Sequence, residues 1–137
     1  MSADKRSGFT LIEMVVVMAL VSLMAGIAIP AMQRWYNSVS ERARISELVL
    51  QLQRLASRVA LSSHTLKLDR STWNTKLADG EQALQLPEGW QLTNDEPVIF
   101  YHSGVCQGGV VSLLSPAGDK VKLKVSPVYC SVSLQKE

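Results

Sequence analysis

From Phe9 to Met32 the chain runs for 24 residues with one ionisable side chain, Glu13. At about 1.5 Å of rise per residue, a helix of that length reaches roughly 36 Å and spans the hydrocarbon core of a bilayer. The remainder of a 137-residue chain has room for one small domain. Apolar residues make up 47% of the sequence against 19% charged, and the excess is concentrated in this one run. The formal net charge of +2 is too small for composition alone to imply a polyanionic partner.

Lys5 and Arg6 precede the apolar run, so the positive-inside tendency puts the N-terminus in the cytoplasm and the rest of the chain outside. The two cysteines, Cys106 and Cys130, then lie in an oxidising compartment where they can pair. The alternative is two unpaired buried thiols.

An ordinary secretory signal competes for the same N-terminus, with Gly26-Ile27-Ala28 as its cleavage site and a mature chain starting at Ile29. Two features weigh against it. The apolar run exceeds the ~7–15 residues of a signal core. Glu13 also stands inside it, where an ionised carboxylate costs about 2.5 kcal/mol or more. A carboxylate kept under that penalty suggests a partner for it.

The run Gly8-Phe9-Thr10-Leu11-Ile12-Glu13, followed by Met14-Val15-Val16-Val17 and later Pro30, resembles the N-terminus of type IV pilins and type II secretion pseudopilins. The resemblance implies cutting by a prepilin peptidase between Gly8 and Phe9, N-methylation of Phe9, and a role for Glu13 in registering each subunit in a filament. Physics favours that role too, because a neighbouring subunit's amine would neutralise a carboxylate otherwise stranded in lipid. Gly8 has no side chain and lets a protease approach the backbone closely, or else it is a turn residue at the interface. Pro30 lacks a donor and should kink or loosen the helix, as such breaks do in the resembling families, or else mark the membrane exit.

Beyond Met32, Trp35 and Tyr36 suit an interfacial position. Ile45, Leu48, Leu52, Leu55 and Val59 then recur at spacings of three and four, the apolar stripe of an amphipathic helix. After Ser62-Ser63 the period changes to two, predicting strands at Leu66/Leu68, Val98/Phe100, Val110–Leu114, Val121–Val125 and Val132/Leu134. Ser115-Pro116-Ala117-Gly118 predicts a hairpin turn. The expected fold is α+β, a long N-terminal helix packed on a small, mostly antiparallel β head. Its parts are a leader over 1–8, a membrane and assembly helix over 9–32, an amphipathic helix over 33–63 and a β-rich periplasmic head over 64–137.

Val98–Gly104 and Gly108–Leu113 resemble the heads of H-type minor pseudopilins and FimT/FimU-like minor pilins, although Tyr129-Cys130-Ser131-Val132 replaces their usual ending. That resemblance implies a minor subunit of a type IV pilus that initiates or caps the filament, with an H-type minor pseudopilin of a type II secretion system as the alternative. Its partners would be the prepilin peptidase, other pilin or pseudopilin subunits, an inner-membrane assembly platform and the membrane. The chain would sit in the bacterial inner membrane as a single pass, and afterwards in the pilus or pseudopilus. A DNA-binding pilus-tip receptor is a further alternative. It is not favoured, because the FimT-like proteins that bind DNA, only some of them, do so through arginines near the C-terminus, and none follows Arg70 here.

Lys120, Lys122 and Lys124 alternate with Val121, Leu123 and Val125, which reads as the solvated face of an edge strand or, more sharply, as a polyanion-binding stripe. Cys106, His64 and His102 make a weak nucleophile–base set. These histidines and the scattered acids supply too few ligands for a metal centre. The expectation is a protein that is not an enzyme, with no cofactor and no metal.

Overall fold

The computed structural model describes residues 8–135; the expected leader, Met1 to Ser7, lies outside the described residues apart from its last position, Gly8. The chain divides into two compact units, Met1–Arg42 and Ala43–Glu137. A single helix, α1 (Leu11–Ser62), contributes to both. It is long and apolar enough to cross a membrane. Pro30 lies inside α1 and does not end it.

In the first unit, the side chains of α1 from Leu11 to Val39 are exposed along every face. In the second unit the same helix buries Leu48, Leu52, Leu55, Ala56 and Val59 in the core. Their spacing brings them onto one face, and each leucine removed from water contributes about 1.5–3 kcal/mol. They pack with Leu66 and Leu68 of β1 (Leu66–Leu68) and with Val98 and Phe100 of β3 (Val98–Phe100).

Among the described residues, six strands complete the second unit. β1 pairs with β3 antiparallel, Lys67 opposite Ile99. A four-stranded antiparallel sheet runs β2-β4-β5-β6, where β2 is Gln91–Leu92, β4 Gly109–Leu114, β5 Lys120–Val125 and β6 Val132–Gln135. The alternation of β4 and β5 sends Val111, Leu113, Leu123 and Val125 into the core. The register Val111 opposite Leu123 aligns those inward faces, and a slip of one residue would turn them to solvent. The hairpin between these strands forms at the expected turn. Gly118 N–H donates to Ser115 O at 3.0 Å and Gly118 takes φ +92°, which favours glycine there.

Two strand expectations change. β5 is not an edge strand, because β4 and β6 flank it. The alternation that puts its lysines on the outer face is the same in an edge and an interior strand, so the pattern carried no information on strand order. β2 was not anticipated: two residues are too short to show a period, and it forms by pairing with the end of β4 at Leu113 and Leu114.

One polar clamp ties the loop before β2 to the helix. Arg58 Nε donates to Asp79 Oδ2 at 2.7 Å and Nη2 donates to Asp79 Oδ1 at 3.1 Å. The same guanidinium donates to the carbonyls of Gln82 and Ala83. The Arg58 hydrogen bond, seconded by the Glu81 amide, holds the Asp79 carboxyl below its usual range. A lowered folded value means that the pair stabilises the fold above the ordinary carboxylate range and loses that effect as pH falls through the folded value. Asp79→Asn should therefore lower the thermal midpoint at neutral pH, and its difference from wild type should shrink below about pH 3.9. Leu52→Ala should cost about 2–5 kcal/mol with no such pH dependence. Thermal unfolding of the detergent-solubilised chain, followed by circular dichroism at pH 7 and pH 3, checks both.

Candidate functional site

The helix begins two residues after Phe9. Gly8, Phe9 and Thr10 are non-helical and exposed, and nothing lies within 4 Å of a Cβ placed on Gly8. Thr10 caps the helix: its Oγ1 accepts from Glu13 N–H at 3.3 Å, while its carbonyl accepts from Glu13 and Met14 N–H. Thr10 and Glu13 thus hold the first and last positions of a capping-box sequence, and Glu13 stands in the first turn, where a carboxylate suits the helix dipole. The Thr-x-x-Glu signal was present in the sequence. Within the apolar run the charge of Glu13 is the stronger signal and its place in the first turn the weaker one.

After this acidic turn the surface of α1 is apolar, and the window from its start that suits a membrane is 0% buried. Gly8, Phe9 and Glu13 are thereby gathered at one helix start, beside the uncovered apolar surface. Pro30 stands about 26 Å further along the axis, at 1.5 Å for each of the intervening residues. Ser22 Oγ donates back to Met18 O at 2.8 Å, so its hydroxyl is satisfied within the helix.

Cys106 and Cys130 belong to the second unit. They form a disulfide with Cα atoms 5.4 Å apart and a sequence separation of 24. Cys106 is therefore unavailable as a nucleophile, which removes the set it was weighed in with His64 and His102. Both histidines are exposed. Among the described residues no cluster of three or more metal-ligating side chains occurs. Lys120, Lys122 and Lys124 share the outer face of the sheet, where Arg70 donates to Asp95 at 3.2 Å across the same groove.

Residues 4–29 match the model of the prokaryotic N-terminal methylation motif. The type IV major fimbrial protein FimA of Dichelobacter nodosus is 36% identical over 126 residues, covering 80% of this chain and 76% of the relative. This chain belongs to the type IV pilin family. No solved structure matches it. The likeness to FimA extends well past the methylation motif, so it takes in the head of this pilin as well as its helix. The long helix and antiparallel sheet give the pilin its α+β architecture.

The disulfide closes a loop of a size that stabilises a small domain by about 3 kcal/mol. Peptide mapping of the non-reduced pilin should recover Cys106 and Cys130 as one linked species. Reduction should lower the unfolding free energy of the full chain by about that amount. Two freely alkylated thiols in extracytoplasmic material would contradict the pairing.

Proposed function

We propose that this pilin is a filament subunit of a type IV pilus, cut between Gly8 and Phe9, N-methylated on Phe9 and drawn from the inner membrane into the filament through Glu13. The observation that carries the reading is the uncovered apolar surface of α1 beginning directly after an exposed, non-helical Gly8-Phe9 and bearing one carboxylate in its first turn. A peptidase needs an accessible extended backbone, and these residues supply it. The apolar surface needs lipid before assembly and other helices after it. In lipid, Glu13 lowers its own penalty by meeting the freed Phe9 amine of a neighbour. The N-terminus faces the cytoplasm, and the disulfide-bonded head faces the periplasm.

In this reading the subunit is a minor one that starts or caps the filament, a place suggested by the H-type resemblance of Val98–Leu113. A specific observation favours a second reading, as a major subunit: the Dichelobacter nodosus relative is named a major fimbrial protein. Counting copies of the chain against the other pilins in sheared filaments separates the two. Finding it only in a membrane-bound pseudopilus would move it to a type II secretion system.

Two outcomes test the core of the proposal. Intact mass of the mature protein should show loss of residues 1–8 and gain of one methyl group on Phe9; a chain beginning at Ile29 would identify an ordinary secreted protein instead. Glu13→Val should remain membrane-inserted and processed, since the leader and scissile bond are untouched and the segment becomes more apolar. Its incorporation into sheared filaments should fall. Glu13→Gln keeps a side chain suited to the capping box while removing the charge. If Glu13→Gln assembles as well as wild type, charge neutralisation is wrong and Glu13 serves the helix end alone.

A further inference from the structure

The apolar run starts at Phe9, yet α1 starts at Leu11. Apolar pattern alone carries a helix through Phe9, and the structure withholds it just where the filament reading places the cut. No proline or charged side chain stands between Gly8 and Ile12 to interrupt the run. Gly8, Phe9 and Thr10 are exposed, and a Cβ on Gly8 would meet no atom within 4 Å. Packing therefore does not hold this backbone out of the helix. A local hydrogen bond does.

That bond belongs to Thr10. Its Oγ1 accepts from Glu13 N–H at 3.3 Å, and its carbonyl accepts from the Glu13 and Met14 N–H groups at 3.1 and 3.2 Å. A capping residue keeps non-helical dihedrals while its side chain satisfies a donor that the first turn leaves without a partner. Phe9 and Met14 hold the flanking positions at which an apolar pair fixes the direction of the entering chain. Without Oγ1 a backbone donor loses its acceptor, and lipid offers no water to replace it. The remedy is more helix: Glu13 N–H turns to the Phe9 carbonyl, and Ile12 N–H to the Gly8 carbonyl, each four residues back. Both steps need less than one additional turn. The second engages the carbonyl of the bond to be cut.

We propose that Thr10 is a positioning residue for processing: its cap sets the start of α1 so that the Gly8 carbonyl stays outside the helix and open to the prepilin peptidase. The inference rests on the filament reading above and names the residue that keeps the cut bond extended. The donor at position 13 is a backbone N–H, so the Glu13 side chain is not part of the device. Glu13→Val leaves it intact, which separates the positioning of the cut from the charge role given to Glu13.

The test uses the full chain in lipid vesicles with a purified prepilin peptidase. Thr10→Val keeps the shape of the side chain and removes the acceptor. It should move the ratio of extended to helical backbone at Gly8 and Phe9 about fivefold toward helix, the effect of one lost cap, as read from carbon chemical shifts. A smaller competent fraction weakens apparent binding, so KM should rise about twofold or more while kcat holds. Thr10→Ser and Thr10→Asn differ in shape but cap well, and both should keep the wild-type KM. Thr10→Val cut with the wild-type KM overturns the proposal. So does Thr10→Asn cut as poorly as Thr10→Val, because the peptidase then reads the hydroxyl itself. Both results leave the filament reading standing. If the wild-type chain is not cut between Gly8 and Phe9, the filament reading fails and takes this inference with it.

Discussion

Leu48, Leu52, Leu55 and Val59 are removed from water by the sheet, whereas the apolar side chains from Leu11 to Met32 have no protein cover. The same backbone hydrogen-bonding pattern serves both stretches, so what differs is the solvent each surface requires. The head half needs a core of its own and gets one from β1, β3, β4 and β5. The other half needs a solvent supplied from outside the chain. Nearly every functional feature of this pilin follows from that demand. Under the proposed function a membrane would meet it first and a bundle of like helices afterwards.

Glu13 shows how one side chain can answer two demands of that kind. At the first turn of α1 a carboxylate offsets the positive end of the helix dipole, and Thr10 begins the capping box around it. These are local gains available to an isolated chain. They are small beside the penalty of an ionised group deeper in lipid, typically 0.3–1 kcal/mol against about 2.5 kcal/mol or more. Capping explains why an acid is tolerated at this place. It does not by itself explain why an acid follows Phe9 into an apolar segment; under the proposed function a positive partner on a neighbouring subunit would supply the remainder.

The parts of the fold that were legible in the sequence are those with a repeated pattern. The stripe from Ile45 to Val59, five of the six strands and the Ser115–Gly118 turn rest on periods of 3.6 and two or on a proline and a glycine at set positions. What escaped had no period. β2 is two residues long, and strand order depends on which edges meet in space, so Lys120, Lys122 and Lys124 were read onto an edge that β6 in fact covers. At the candidate site, Gly8, Phe9 and Glu13 were legible because a motif joins them. The role of Thr10 was written in the same residues but obscured by a stronger signal. The positive φ of Val128 was not legible at all, because nothing in Ser-Pro-Val-Tyr-Cys-Ser names a residue that favours it.

That last point bears on what the disulfide is for. A core that already buries Phe100, Leu113 and Leu123 does not obviously need a crosslink at its rim. The bond instead anchors a loop that holds two non-glycine residues, Val128 and Cys130, at positive φ. Loop-closure entropy gained from the crosslink, about 3 kcal/mol, is of the same order as the strain expected from two such residues, about 1–3 kcal/mol each. The covalent bond and the strained turn are best understood together, because the crosslink offsets the conformational cost of the loop it closes.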